Sequence, residues 1–197
     1  MERHFVFVYG TLRRHERNHY LLEGGKLVAK QAWTNGKLYD TGLGYPALQE
    51  SRANVVYGEL YLVSDKQLRR LDELEGYSMD GSDNLYDRVK QLIIHDKGET
   101  QAYIYTIAEK NQHMLNTPIK SGDWKEYRLR NKDTILYFAY GSCMDDARFK
   151  IAKVDHYFQK VTGTGILQGY RLRFSVHMHH GGPADIVEEG GMVEGKG

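Results

Sequence analysis

Two stretches of this 197-residue chain hold side chains whose types and spacing fit chemistry. In the first, an apolar run, Phe5–Val8, breaks at Tyr9-Gly10-Thr11-Leu12 and is followed by Arg13-Arg14. A strand that stops at glycine and then threonine can turn backbone N–H groups toward an anion. Glycine permits the close approach such a loop needs. A plain strand-to-helix turn reads the same way, and the arginine pair fits either a carboxylate clamp or a solvated face. The second stretch is "SDKQLRRLDELEG", residues 64–76. With Leu68 placed at 0°, Leu71 falls near about −60°, Leu74 near about −120° and Glu75 near about −20°. Glu75 therefore shares the apolar stripe of an amphipathic helix. Burial and the negative end of the helix both push a carboxyl pKa upward, toward values useful for proton transfer near neutrality. A frayed last turn that simply lets Glu75 reach water is the competing reading.

Two other candidates are weaker. His177, His179 and His180 lie in "SVHMHHGG", but no acidic or cysteine ligand stands near them at a useful spacing, so a strand end is preferred to a metal site. Cys143 is the single cysteine. It would need a base to act as a nucleophile, and an inert thiol is the expectation. No metal and no cofactor is expected.

The elements around these residues can be read from pattern. His4–Tyr9 is apolar on both faces, as in a strand buried on both sides. Residues 11–23 are expected to open a short helix ended by Gly24-Gly25. Short strands should follow over 26–63, separated by Asn35-Gly36, Gly42 and Gly44. Ser64 and Gln67 form a capping-box pattern for the 64–76 helix, and Gly76 should end it. "YDRVKQLIIH" and "TQAYIYTIA" read as paired strands, and 121–132 as a closing helix or linker.

The pattern then restarts. "TILYFAYGS" repeats the opening strand and its break, with Gly141 standing where Gly10 stood, and "GGMVEGKG" echoes "NVVYGELY". The expected organisation is a domain over 1–130 and the first part of a second over 131–197. The second copy stops before a counterpart of the 64–76 helix, so the chain reads as part of a longer protein.

Composition sets limits. With 27 basic and 26 acidic residues the formal charge is +1, which gives no electrostatic reason to expect nucleic acid or an anionic membrane as partner. No run of about 18 apolar residues exists, so no membrane span is expected. One cysteine and no signal-like start point to a cytoplasmic protein. Oligomeric state is not set by these features.

"VFVYGTLRR…NH", "GYPAL", "VYGELYLV", "LDELEGY" and "YDRV", in that order, resemble the gamma-glutamylcyclotransferase superfamily, and most of all its gamma-glutamylamine cyclotransferase-like branch. The likeness covers nearly all of residues 4–127. "YFAYGS", "GYRLRF" and "HGGPADIV" are similar to the gamma-glutamylcyclotransferase branch. The resemblance implies an α+β fold, a small mixed β-barrel with flanking helices, in tandem with an incomplete second copy. It implies cyclisation of a gamma-glutamyl amine, amino acid or peptide to 5-oxoproline with release of the amine. It implies Glu75 as the general acid–base, and Tyr9, Gly10, Thr11, Leu12 and Tyr86 as substrate-binding residues. The second copy departs from the pattern, with Cys143 where an asparagine is expected. A binding or regulatory protein for a similar small molecule, acting without turnover, is the alternative.

Overall fold

The computed structural model of the chain describes residues 2–81, 83–158, 160–174 and 184–196. The chain divides into two compact units, one ending at Lys132 and one beginning at Asp133.

The first unit is built on a closed five-stranded barrel. Strand β1 (Arg3–Val8) pairs antiparallel with β5 (Val55–Ser64) and parallel with β7 (Gly98–Ile107). Strand β5 pairs with β2 (Lys26–Asn35), β2 with β6 (Tyr86–His95), and β6 with β7. The apolar alternation of β1 explains its central place. Val6 and Val8 enter one buried cluster while Phe7 and Tyr9 enter the other, so both faces of the strand are covered. Two register shifts in β2, between Leu27 and Ala29 and between Ala29 and Ala32, bend that strand as barrel closure requires. A separate three-stranded sheet joins β3 (Lys37–Asp40), β4 (Pro46–Gln49) and β8 (Thr117–Pro118).

Helix α1 (Asp65–Leu74) follows β5 directly. Ser64 Oγ accepts from Gln67 N at 3.4 Å and Gln67 Oε1 accepts from Ser64 N at 3.1 Å, which completes the expected capping box. At the other end Gly76, with φ +59°, donates to Glu73 O, and Tyr77 donates to Asp72 O. That pair of bonds is a Schellman stop, and the left-handed backbone is why glycine stands there. Leu68 and Leu71 are buried against the barrel, while Leu74 is 37% exposed. Helix α2 (Trp124–Arg130), capped by Asp123, closes the unit.

Residues 11–23 do not form the expected helix. They run as successive turns and reach only a short 3-10 helix at His19–Leu22. His15 takes φ +64°, which a right-handed helix cannot accommodate, and Asn18 spends its side chain on Thr11.

The second unit holds helix α3 (Asp146–Ile151) and two antiparallel strand pairs. Strand β9 (Thr164–Gln168) pairs with β12 (Met192–Lys196), and β10 (Arg171–Arg173) with β11 (Asp185–Val187). The expected strand at "TILYFAY" is not formed: residues 134–140 carry a single bridge at Ala139. In the first unit β1 is clasped between β5 and β7, and among the described residues the second unit has no counterpart of β7. Among the described residues no helix is long and apolar enough to cross a membrane.

Candidate active site

At the end of β1 the chain turns inward. The Tyr9 side chain is buried and its hydroxyl donates to Tyr105 O at 2.8 Å. A Cβ at Gly10 would lie 2.8 Å from Pro46 Cγ. Glycine is thus required by close contact with Pro46, the first residue of β4, since its φ is not in the left-handed range. Asn18 fastens the loop twice, its N–H to Thr11 O and its side-chain amide to Thr11 Oγ1, both at 3.0 Å. No carbonyl among the described residues takes up the N–H of Thr11 or Leu12. These donors remain available to an anion.

The loop lies over a cavity of about 200 Å³. Tyr9, Gly10, Thr11, Leu12, Glu75 and Tyr86 all line it, so the six residues singled out in the sequence converge on one space. Glu75 is the residue just past α1, with its N–H on Leu71 O at 2.9 Å. It is half-buried and faces the cavity, not a frayed, solvated turn. Burial pushes its carboxyl pKa from 4.5 up to about 7.

Three tyrosines stand close enough to feel that charge, yet none donates to it. Tyr9 bonds Tyr105 O, Tyr86 OH donates to Pro46 O at 3.0 Å, and Tyr105 OH donates to Asp72 Oδ1 at 2.8 Å. Asp72 is itself paired with Arg88 at 2.6 Å. Among the described residues no cation or hydrogen-bond donor reaches the Glu75 carboxyl. The hydroxyls are raised in turn, first by burial, with the Glu75 charge contributing at all three. A carboxyl walled by committed hydroxyls is poised to exchange a proton with a ligand and not with its neighbours.

A charged network supports the loop from behind. Glu59 on β5 is 3% exposed and accepts from Arg14 N at 2.9 Å, Tyr61 OH at 3.0 Å, Lys125 Nζ at 3.0 Å and Arg13 Nε at 3.4 Å. These bonds hold its carboxyl below the usual range despite burial. Arg13 also meets Asp123, the cap of α2, at 2.8 Å. Arg13 is therefore neither a solvated side chain nor a cavity-lining one. It anchors the loop to β5 and α2.

The lining also includes Arg17, Asn18, Tyr45, Pro46 and Tyr105, which sequence reasoning did not select. The Tyr103–Tyr105–Ile107 alternation of β7 was the available signal for Tyr105. His177, His179 and His180 lie outside the described residues. Cys143 is half-buried in a 3-10 turn at Gly141–Met144 of the second unit. Among the described residues one acid–histidine group, Glu2, His4 and Asp65, has ligand atoms close together, and none of the three lines the cavity.

Comparison with known proteins gives one consistent answer. The family model described as Gamma-glutamyl cyclotransferase, AIG2-like, matches residues 6–126. YkqA of Bacillus subtilis (strain 168), provisionally named a gamma-glutamylcyclotransferase, is 40% identical over 196 residues, 96% of this chain and 66% of its own length. The chain thus spans just under two thirds of that relative. A Niallia circulans protein named Gamma-L-glutamyl-butirosin B gamma-glutamyl cyclotransferase is 39% identical over 134 residues, 66% of this chain and 81% of its own. The crystal structure of the Bacillus subtilis protein superposes with TM-score 0.63 at 38% identity, over 99% of this chain and 67% of that one. An AIG2-like protein from Mus musculus gives TM-score 0.51 at 25% identity, over 60% of this chain and 86% of that one.

Proposed function

Because the chain belongs to the gamma-glutamyl cyclotransferase, AIG2-like family, we propose that its first unit converts a gamma-glutamyl amine, amino acid or peptide to 5-oxoproline, with Glu75 as general acid–base. The substrate's α-amine nitrogen attacks its own γ-carbonyl carbon. Nucleophile and electrophile already share one molecule, so the site chiefly fixes the rotamer that brings them together. The new C–N bond closes the five-membered ring, and the old C–N bond to the leaving group breaks. The proton given up by the α-amine passes to Glu75 and from there to the departing nitrogen. The step is redox-neutral and its atoms balance without a further reactant. The N–H groups of Thr11 and Leu12 stabilise negative charge on the substrate.

The observation that carries this reading is Glu75, a carboxyl raised to about 7 by burial, facing the Tyr9–Leu12 loop across one small cavity. The test is a panel of gamma-glutamyl compounds assayed for 5-oxoproline. Glu75→Gln keeps the shape and removes the proton carrier, and turnover should fall by about 10²–10⁴. Retained turnover in that variant removes Glu75 from the role. Ligand-induced stabilisation without any product would favour the non-catalytic binding reading.

The second unit we read as a partial copy of the first. Two features support this. The pairings β2·β5 and β3·β4 recur as β9·β12 and β10·β11 in the same chain order. A Cβ at Gly58 would lie 2.3 Å from Val8 O and 2.6 Å from Phe7 Cζ, and one at Gly195 would lie 2.4 Å from both Ala139 O and Phe138 Cζ. The same close contact, with a backbone carbonyl and the phenylalanine ring just before it, thus calls for glycine twice.

A further inference from the structure

Resting on the cyclotransferase reading, we propose that Arg17 forms a leaving-group subsite at the cavity mouth and selects gamma-glutamyl amino acids and peptides, whose leaving group carries a carboxylate, over uncharged or cationic gamma-glutamyl amines. The cavity has a depth gradient. Tyr9, Leu12, Tyr86 and Tyr105 are buried at its inner end, whereas Arg17 is exposed. Its volume of about 200 Å³ falls below the roughly 300–1,000 Å³ of sites that enclose drug-sized ligands. It suits one amino-acid-sized group. That group must be the glutamyl part, because the α-amine and γ-carbonyl have to reach Glu75 and the loop N–H groups. The leaving group then projects to the mouth.

At the mouth the charge is one-sided. Arg17 is the single cationic residue of the lining and Glu75 the single acidic one. Among the described residues no carboxylate pairs with Arg17, while the neighbouring Glu16 is taken up by Arg128 at 2.6 Å. The guanidinium lies over the β3–β4 connection, its Nη1 3.5 Å from where a Cβ of Gly44 would stand. Gly44 has φ +82°, a left-handed backbone that glycine supplies to make the bend there. Tyr45 and Pro46, the next two residues, line the cavity itself. A carboxylate emerging past them meets a guanidinium fork suited to two parallel hydrogen bonds.

Gamma-glutamylglycine and gamma-glutamylglycinamide differ at the leaving group by one charge and almost no volume. Comparing kcat/KM for the two on the wild-type chain and on Arg17→Met isolates the subsite. A half-solvated ion pair is worth about 1 kcal/mol, so the wild type should favour gamma-glutamylglycine by about 5–10-fold. That ratio should fall to about one in Arg17→Met, and Arg17→Lys should restore part of it. The wild-type ratio should also shrink in about 1 M salt, where the Debye length is about 3 Å. Turnover of both compounds with no charge preference would overturn this proposal alone, as would an equal loss on both in Arg17→Met. No 5-oxoproline from either compound would overturn the cyclotransferase reading and this subsite with it.

Discussion

Glu75 combines two costs that a structural carboxylate avoids. It sits at the negative end of a helix, and its environment supplies no fixed donor. A folded-state pKa near 7 against 4.5 unfolded means that the native state binds the extra proton between those values. Stability contributed by the protonated carboxyl is therefore present below about 4.5 and declines as pH rises to about 7. Glu75→Gln lacks this loss. We expect the variant to match the wild type at pH 4 and to exceed it at pH 8, with the gap opening between. Solvent at the cavity mouth screens part of the effect, leaving about 1–2 kcal/mol, readable as Tm against pH. Activity runs the other way. A base must begin ionised, so wild-type kcat/KM should climb through pH 7 and then level.

The loop before Arg14 has little regular structure of its own, and neighbouring elements give it shape. Glu59 gathers donors from the loop, from β5 and from α2, so that carboxylate fixes three segments at once. Glu59→Ala would leave the largely buried Arg13 and the Lys125 ammonium short of a counter-charge. The expected loss is about 3–5 kcal/mol, measurable by urea unfolding. The strand, the capping box and the glycine stop around this site were legible because each has a local cause: two-faced apolar alternation in β1, Ser64 with Gln67, and the left-handed turn at Gly76. Residues 11–23 were misread as a helix because their fixing contacts are specific, Asn18 to Thr11 and Glu59 to Arg14, and composition does not announce them. Arg13 was open to two readings and takes the carboxylate clamp with the protein's own Glu59 and Asp123, partners that lie 46 and 110 residues away. The cavity role of Glu75 was visible in helical phase, whereas the burial that raises its pKa comes from strands distant in sequence.

In the whole molecule, a closed barrel leaves the first unit no unpaired sheet edge among its five main strands. The second unit is made of two-stranded pieces, which are weak alone. Gly195→Ala places a methyl group against Ala139 O and Phe138, and should raise amide exchange along β9 and β12 by at least tenfold while barrel amides stay protected. Slow exchange throughout in that variant would argue against the Gly58-like contact. Over a complete turnover, the missing donor at Glu75 has a further effect on the proposed reaction. The substrate brings its own ammonium, which compensates the carboxylate and draws its proton away. 5-Oxoproline has lost that cation, because its nitrogen has become an amide, and it presents only a second negative charge. The site therefore favours what it consumes over what it makes, and regaining a proton accompanies any rebinding of product. Product inhibition should accordingly be weak at pH 8 and strengthen toward pH 6, so that the charge change of the reaction itself clears the cavity for the next substrate.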